Sequence, residues 1–207
     1  MAPTKTELKR RWKDGDFVAA LPFPPDKIPE QDQLQNVDLR GVPKLGNGGP
    51  LGWFKFHSVE SSGVDLSFGD GVLNVYGSTL TDLVCREFKF DRASWFNEST
   101  FVRSEFTRSR LRLNVVDCEF HECVFDGTIF VGGFNEFGFR RCTFRDCQFV
   151  LADWQRTYLR ACRFTGCDFT KFTISDSIVA GFKYESCIGF HNEMFVQCDV
   201  GGLEKLA

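Results

Sequence analysis

From Phe144 onward an apolar residue recurs at every fifth position: Phe149, Trp154, Leu159, Phe164, Phe169, Ile174, Val179 and Tyr184. The residue two before each is mostly small, as at Cys142, Cys147, Ala152, Thr157, Cys162, Cys167 and Ser177, with Phe172 and Phe182 as the departures. Positions between are mostly polar, as in Arg145-Asp146 and Thr170-Lys171. The phase runs back through Phe139 and Phe134. A four-residue step at Val131-Gly132-Gly133 then leads to Phe130, Phe125 and Phe120, preceded by Thr128, Cys123 and Cys118. Further upstream, Phe101, Phe106 and Leu111 follow Ser99, Ser104 and Ser109 at the same offset. Between Val64 and Trp95 the phase is looser, but Val75, Leu80, Cys85, Phe90 and Trp95 keep the spacing.

A period of five is neither the 3.6 of a helix nor the 2 of a strand. It suits a chain that runs extended for two or three residues, turns a corner and repeats. Four such units close a square coil of about 20 residues, and coils stack at the strand spacing of roughly 4.8 Å. Residues one coil apart then pile up: Phe144 with Phe164 and Tyr184, and Phe149 with Phe169. The four-residue step shortens one coil, so that Phe125 falls on Phe144, Phe120 on Phe139, and Trp154 between Phe134 and Ile174. The expected core is a set of aromatic ladders in a solenoid whose coils touch only their neighbours.

These units resemble the pentapeptide-repeat family, whose motif reads roughly A(D/N)LXX. VDLRG (37–41) and VDLSF (64–68) come near it, and CRFTG, CDFTK, CTFRD and CQFVL are a Cys/Phe version. The resemblance covers roughly residues 64–200. It implies an all-β fold, a right-handed quadrilateral β-helix of about seven coils, with a short N-terminal capping helix added here. Expected bounds are 1–63 for the cap helix, Pro-rich linker and lead-in, 64–200 for the β-helix, and 201–207 for a short tail.

The chain has 207 residues, 24 of them Phe against 3 Tyr and 2 Met, and 9 Cys. The repeat puts the cysteines in the small inward slot, where free cysteine behaves as a small buried hydrophobe. Cys123, Cys142 and Cys162 are expected in one column, and Thr128, Cys147, Cys167 and Cys187 in another. An odd cysteine count with no export signal argues for reduced thiols. A zinc site needs four converging ligands. Cys118 and Cys123 point inward while His121 points outward, so no metal and no cofactor are expected. His57, His121 and His191 lie in no catalytic motif, and a Phe-filled interior leaves no cleft, so no enzyme is expected. A net charge of −3 gives no sign of direct nucleic-acid binding. No apolar run is long enough to span a membrane, and cytoplasmic location is the default.

At the N-terminus, Thr4 and Glu7 form a capping-box pattern. A helix over roughly 5–14 would lay Leu8 and Trp12 on the first coil, and LPFPPDKIPE (21–30) reads as a stiff linker. The residues after Val200 are too few for a covering helix. In the best-studied branch of the family two chains meet through their C-terminal coils, which implies a homodimer of that kind here.

Function is then expected on the outer walls. One wall collects Glu119, His121, Glu122, Arg140, Arg141 and Arg160. A second mixes Asp126, Arg145, Asp146, Arg163, Lys183 and Glu185. A third shows the apolar strip Ile129, Val131, Val150 and Leu151, and a fourth carries Glu136, Asp153 and Asp176 against Arg156. Characterised family members mimic DNA, bind DNA gyrase or topoisomerase IV and protect them from poisons. The resemblance therefore implies such a protein partner, met through the acidic wall. The alternative is an interaction scaffold using the apolar strip, unless the 42–60 segment covers that strip.

Overall fold

The computed structural model describes residues 3–30, 34–131 and 137–206. The chain winds as a four-walled solenoid of about seven coils in which every strand pairing is parallel. Wall I is an eight-stranded sheet running from Phe56–His57 through Ser94–Asn97 and Gly138–Arg140 to Asp199–Gly201. Wall II, also eight-stranded, runs from Glu60–Ser62 through Glu119–His121 to Glu204–Lys205. Wall III is held by single parallel bridges from Asp38 and Asp65 through Val84, Glu105, Val124, Gln148 and Asp168 to Ile188. Wall IV is a seven-stranded sheet from Asp70–Gly71 through Ile129–Val131 and Asp153–Gln155 to Phe195–Val196. The chain visits the walls in this order, so wall I lies opposite wall III.

The five-residue unit has a local cause. The residue two after each inward side chain turns left-handed, as at Asp117, Glu122, Arg141, Asp146, Leu151, Arg156, Ala161 and Lys171, with φ between 51° and 59°. That corner keeps every strand short, as at Phe56–His57, Thr143–Arg145 and Ser94–Asn97. The small slot next to it does more than save space. Its hydroxyl or thiol donates to the carbonyl two residues back: Ser99 to Asn97 at 2.7 Å, Cys118 to Val116 at 3.3 Å, Cys147 to Arg145 at 3.3 Å. Ser, Thr and Cys share the slot because each carries such a donor.

The ladders are continuous. Phe101, Phe120, Phe144 and Phe164 stack with centroids 4.8, 4.9 and 4.7 Å apart and planes within 8°. Phe106, Phe125, Phe149 and Phe169 form a second pile at 4.9, 5.1 and 5.3 Å. Phe130, Phe139, Trp154, Leu159, Ile174 and Val179 are buried among them. Phe134 and Glu136 lie outside the described residues.

Several registers differ from the sequence reading. Phe120 pairs with Phe144 and not Phe139, Val115 pairs with Phe139, and Phe130 with Trp154. Phe125 stacks on Phe149 and not on Phe144. The coil from Val115 to Phe139 is therefore longer than its neighbours and not shorter. The cysteine columns move with it, to Cys118–Cys142–Cys162 and Cys123–Cys147–Cys167–Cys187. At the other slip, Phe96 enters the core at 2% exposure while Trp95 turns outward at 43%. At the C-terminal end the Tyr184 backbone follows Phe164 in register. Its ring, however, stacks on Phe190 at 3.9 Å, and Phe182 covers Phe164 at 4.5 Å.

The solenoid also begins before the expected Val64. Gln35, Asp38 and Leu45 bridge to Ser62, Asp65 and Gly71, and Leu34, Val37, Leu39, Val42, Leu45 and Leu51 are buried. The 42–60 segment is thus part of the first coils. Pairing continues to Glu204–Lys205, past the expected end at 200.

The N-terminal helix α1 spans Lys5–Arg10 and carries the Thr4/Glu7 capping box, continuing as a 3-10 turn over Arg11–Lys13. A second short helix, α2, covers Gly15–Ala19. Leu8 and Trp12 are buried on the first coil, and the Trp12 indole donates to the Arg40 carbonyl at 2.9 Å. Arg11 grips the Asp38 carboxylate with two nitrogens, at 3.0 and 2.7 Å. The Pro-rich stretch is anchored by buried Phe23, whose ring lies 5.7 Å from that of Phe54.

Candidate interaction walls

The longer coil redistributes the outward side chains. Glu119 and His121 stand on wall II beside Thr143 and Arg145, and not with Arg140 and Arg160, which belong to wall I. Ile129 and Val131 lie on wall IV, in register with Asp153 and Gln155. Val150 ends the wall III segment level with Asp126, and Leu151 turns the corner into wall IV. The four aliphatic residues therefore do not share a wall. Ile129 at 47% and Leu151 at 60% exposure are open to solvent, so the 42–60 segment does not cover them.

Of the three expected acidic positions Glu136 lies outside the described residues, and the other two do not share a wall. Asp153 is on wall IV, half-buried, accepting from Gln155 and Thr173 at 2.9 and 3.2 Å. Asp176 is an exposed left-handed corner between walls IV and I.

The carboxylates gather on wall III, which contains neither of those two. Asp38, Asp65, Glu105, Asp126 and Asp168 project from it. Asp38 is paired with Arg11 and Arg40, and Glu105 with Arg86. Asp126 and Asp168 make no ion pair with another described residue; their oxygens cap the Val150 and Thr170 amides at 3.0 and 2.8 Å. Burial raises the Asp126 pKa, the Val150 amide opposes that, and the negative charges of Asp168 and Glu105 add to the rise.

Wall I has the opposite character. Its outward residues include Lys55, His57, Arg140 and Arg160, with Asp199 at the far end. Exposed Tyr76 and Trp95 rise from its N-terminal half. The His57 and Tyr76 rings stack at 5.4 Å, and Trp95 follows 6.3 Å from Tyr76. Sequence reasoning misses this patch because the five-residue phase puts Trp95 in the core. The signal is present in the pair Trp95-Phe96, where the amphipathic ring is better suited to solvent.

The interior has no comparable chemistry. All nine cysteines are free thiols, and no group of three or more ligating side chains converges among the described residues. Burial pushes the Cys147 and Cys162 thiols up in pKa, with neighbouring sulfurs adding to it, whereas hydrogen bonds with Cys147 and Cys187 lower that of Cys167. No described helix is long and apolar enough to cross a membrane.

A parallel four-walled solenoid with five-residue units defines a class, and the comparisons agree with it. Pentapeptide repeats, in 8 copies, are matched over residues 139–176. Two solved structures of trypsin-treated QnrB1 variants, described as a plasmid-mediated fluoroquinolone resistance protein, superpose with a TM-score of 0.53 each. The first variant is 11% identical and is matched over 83% of this chain and 91% of its own; the second is 10% identical, over 87% and 92%. No curated protein matches the chain. Residues 139–176 thus carry pentapeptide repeats, and the same five-residue unit winds the rest of the parallel four-walled solenoid.

Proposed function

We propose that the chain is a non-catalytic recognition rod that binds a type II topoisomerase, DNA gyrase or topoisomerase IV, through wall III and shields it from topoisomerase poisons. The observation that carries this reading is the gathering of Asp38, Asp65, Glu105, Asp126 and Asp168 on one wall. The fold shared with QnrB1, itself a fluoroquinolone resistance protein, supports it. Charge imitation of DNA is partial. From Asp38 to Asp168 the wall climbs six coils, about 29 Å, over which duplex DNA carries about 17 charges. Shape and local contacts therefore supply the rest of the recognition. Such a target implies a cytoplasmic protein, in keeping with reduced thiols.

The test is DNA supercoiling by purified gyrase with a fluoroquinolone present. Added protein should restore activity, and the Asp126→Asn/Asp168→Asn double variant should restore less. No rescue at tenfold molar excess removes the reading.

The exposure of Leu151 and Ile129 favours a second reading, an interaction scaffold that uses the corner at Val150-Leu151 and wall IV. Val150→Glu and Leu151→Lys would then abolish capture of a partner, whereas unchanged capture removes its motive. A homodimer through the C-terminal coils fits either reading, since Ile188, Val196 and Val200 are exposed there. Light scattering at about 23.6 kDa would exclude it.

A further inference from the structure

Wall I combines three features. The first is a pocket of about 300 Å³ ringed by Lys55, His57, Asn74, Tyr76 and Trp95. The second is an unsatisfied group within it: the Asn74 side-chain oxygen is buried and accepts no hydrogen bond from any described residue. A buried acceptor without a donor costs about 1–3 kcal/mol, so the site is complete only when something donates to that oxygen. The third feature is unpaired positive charge. Lys55, Arg92, Arg112, Arg140 and Arg160, on wall I and its corner with wall IV, make no ion pair with another described residue. Elsewhere on the rod Arg11, Arg40, Arg86, Arg103 and Arg163 are paired, although Arg108, Arg110 and Arg145 make no ion pair with another described residue either; what sets wall I apart is that its free cations flank exposed aromatic rings.

We propose that wall I binds single-stranded nucleic acid, seating one base against Trp95 and Tyr76 with its edge at Asn74, and laying the phosphates along the unpaired cations. Trp95 has no ring neighbour among the described residues other than Tyr76. The next residue in its column is the short Asn114, drawn away by the Tyr158 hydroxyl at 3.0 Å, and beyond it comes Gly138. One side of the indole is therefore open to a flat partner. An amide oxygen accepts from the exocyclic amine of adenine or cytosine. Aromatic faces interleaved with lysine and arginine are the usual recipe for gripping a single strand. The net charge of −3 is no obstacle, because the local field of one wall and not the sum over the chain meets the phosphates. An acidic protein segment would satisfy the cations, but aspartate and glutamate side chains carry no flat ring to lie on the open face of Trp95. Duplex DNA would meet the cations without presenting a free base face. The site lies on the side of the rod away from wall III and does not depend on the topoisomerase reading.

The test is fluorescence anisotropy of a labelled 12-nucleotide single strand, DNA or RNA, with the full chain. At about 50 mM salt the single strand should bind more tightly than the same sequence as a duplex. With three phosphates engaged, log affinity should fall with log salt at a slope near −2. Trp95→Ala should weaken binding about tenfold or more while the chain still unfolds cooperatively, because the ring lies outside the packed core. Arg112→Glu should weaken binding and flatten the slope. Three outcomes overturn the proposal: no binding at low salt, affinity indifferent to Trp95→Ala, or equal binding of polyglutamate. The last would make wall I a site for acidic proteins.

Discussion

Phe120 lies against Phe144, one coil later, with ring centroids 4.9 Å apart and planes 8° from parallel. The rings stay in contact although the coil from Phe120 to Phe144 is longer than its neighbours, so the ladder holds its geometry across the register change.

The pillar is therefore where truncation hurts most. Phe144→Ala removes a ring that stacks on Phe120 and Phe164 at once. It should lower unfolding free energy by about 3–5 kcal/mol. Tyr184→Ala, at a half-buried end position, should lower it by less. Chemical denaturation of the two variants checks the order.

Thiol labelling reads the cysteine columns directly. Cys187 and Cys198 are half-buried, and the other seven are buried. The thiol pKa is raised at Cys187 and Cys198 as well as at buried Cys85, Cys118, Cys147 and Cys162, so access and not acidity sets the order of labelling. The thiolate is the reactive form. Iodoacetamide on the native protein should therefore modify Cys187 and Cys198 first, and the rest only with denaturant, as counted by mass spectrometry.

The cap should respond to acid. Burial raises the Asp38 carboxyl pKa, but hydrogen bonds from Arg40 and Arg11 outweigh it and hold the pKa well below the ordinary range. A depressed folded-state pKa means stability that is present above the unfolded value, about 3.9, and lost as pH falls through the folded one. Trp12 fluorescence should report loosening of the cap below about pH 4, with Asp38→Asn showing the loosened state already at neutral pH. A pH-independent cap in the native protein would contradict the assignment.

Leu151 holds a left-handed corner with φ 59° and 60% of its surface in solvent. Left-handed backbone is costly for a leucine and much less so for asparagine. Leu151→Asn should raise stability by about 0.5–1 kcal/mol, visible as a higher melting temperature.

Much of the fold is legible in the sequence, and the errors have a common origin. From Phe139 to Val179 every coil holds twenty residues, and there the expected stacking of Phe144 on Phe164 and Phe149 on Phe169 matches the structure. A five-residue phase, however, fixes position only modulo five. The interval from Phe130 to Phe139 reads equally as a short coil with Phe134 on a wall or as a long coil with a whole unit added. The Val131-Gly132-Gly133 step favours the first reading, and the structure has the second. That one ambiguity moves every upstream residue by one wall, which scatters the expected acidic and apolar faces. Trp95 falls on the wrong side for a similar reason, because the coil from Val75 to Phe96 is one residue longer than twenty. Side-chain chemistry corrects it, since Phe96 fits a dry slot better than an indole.

The solid interior has an evolutionary corollary. Wall I and wall III are separated by a stack of close-packed rings, with no described hinge or cavity through which a change on one side could be felt on the other. Substitutions on the two faces should therefore act additively. A lineage carrying this rod can revise what it grips with one flank while selection holds the opposite flank constant.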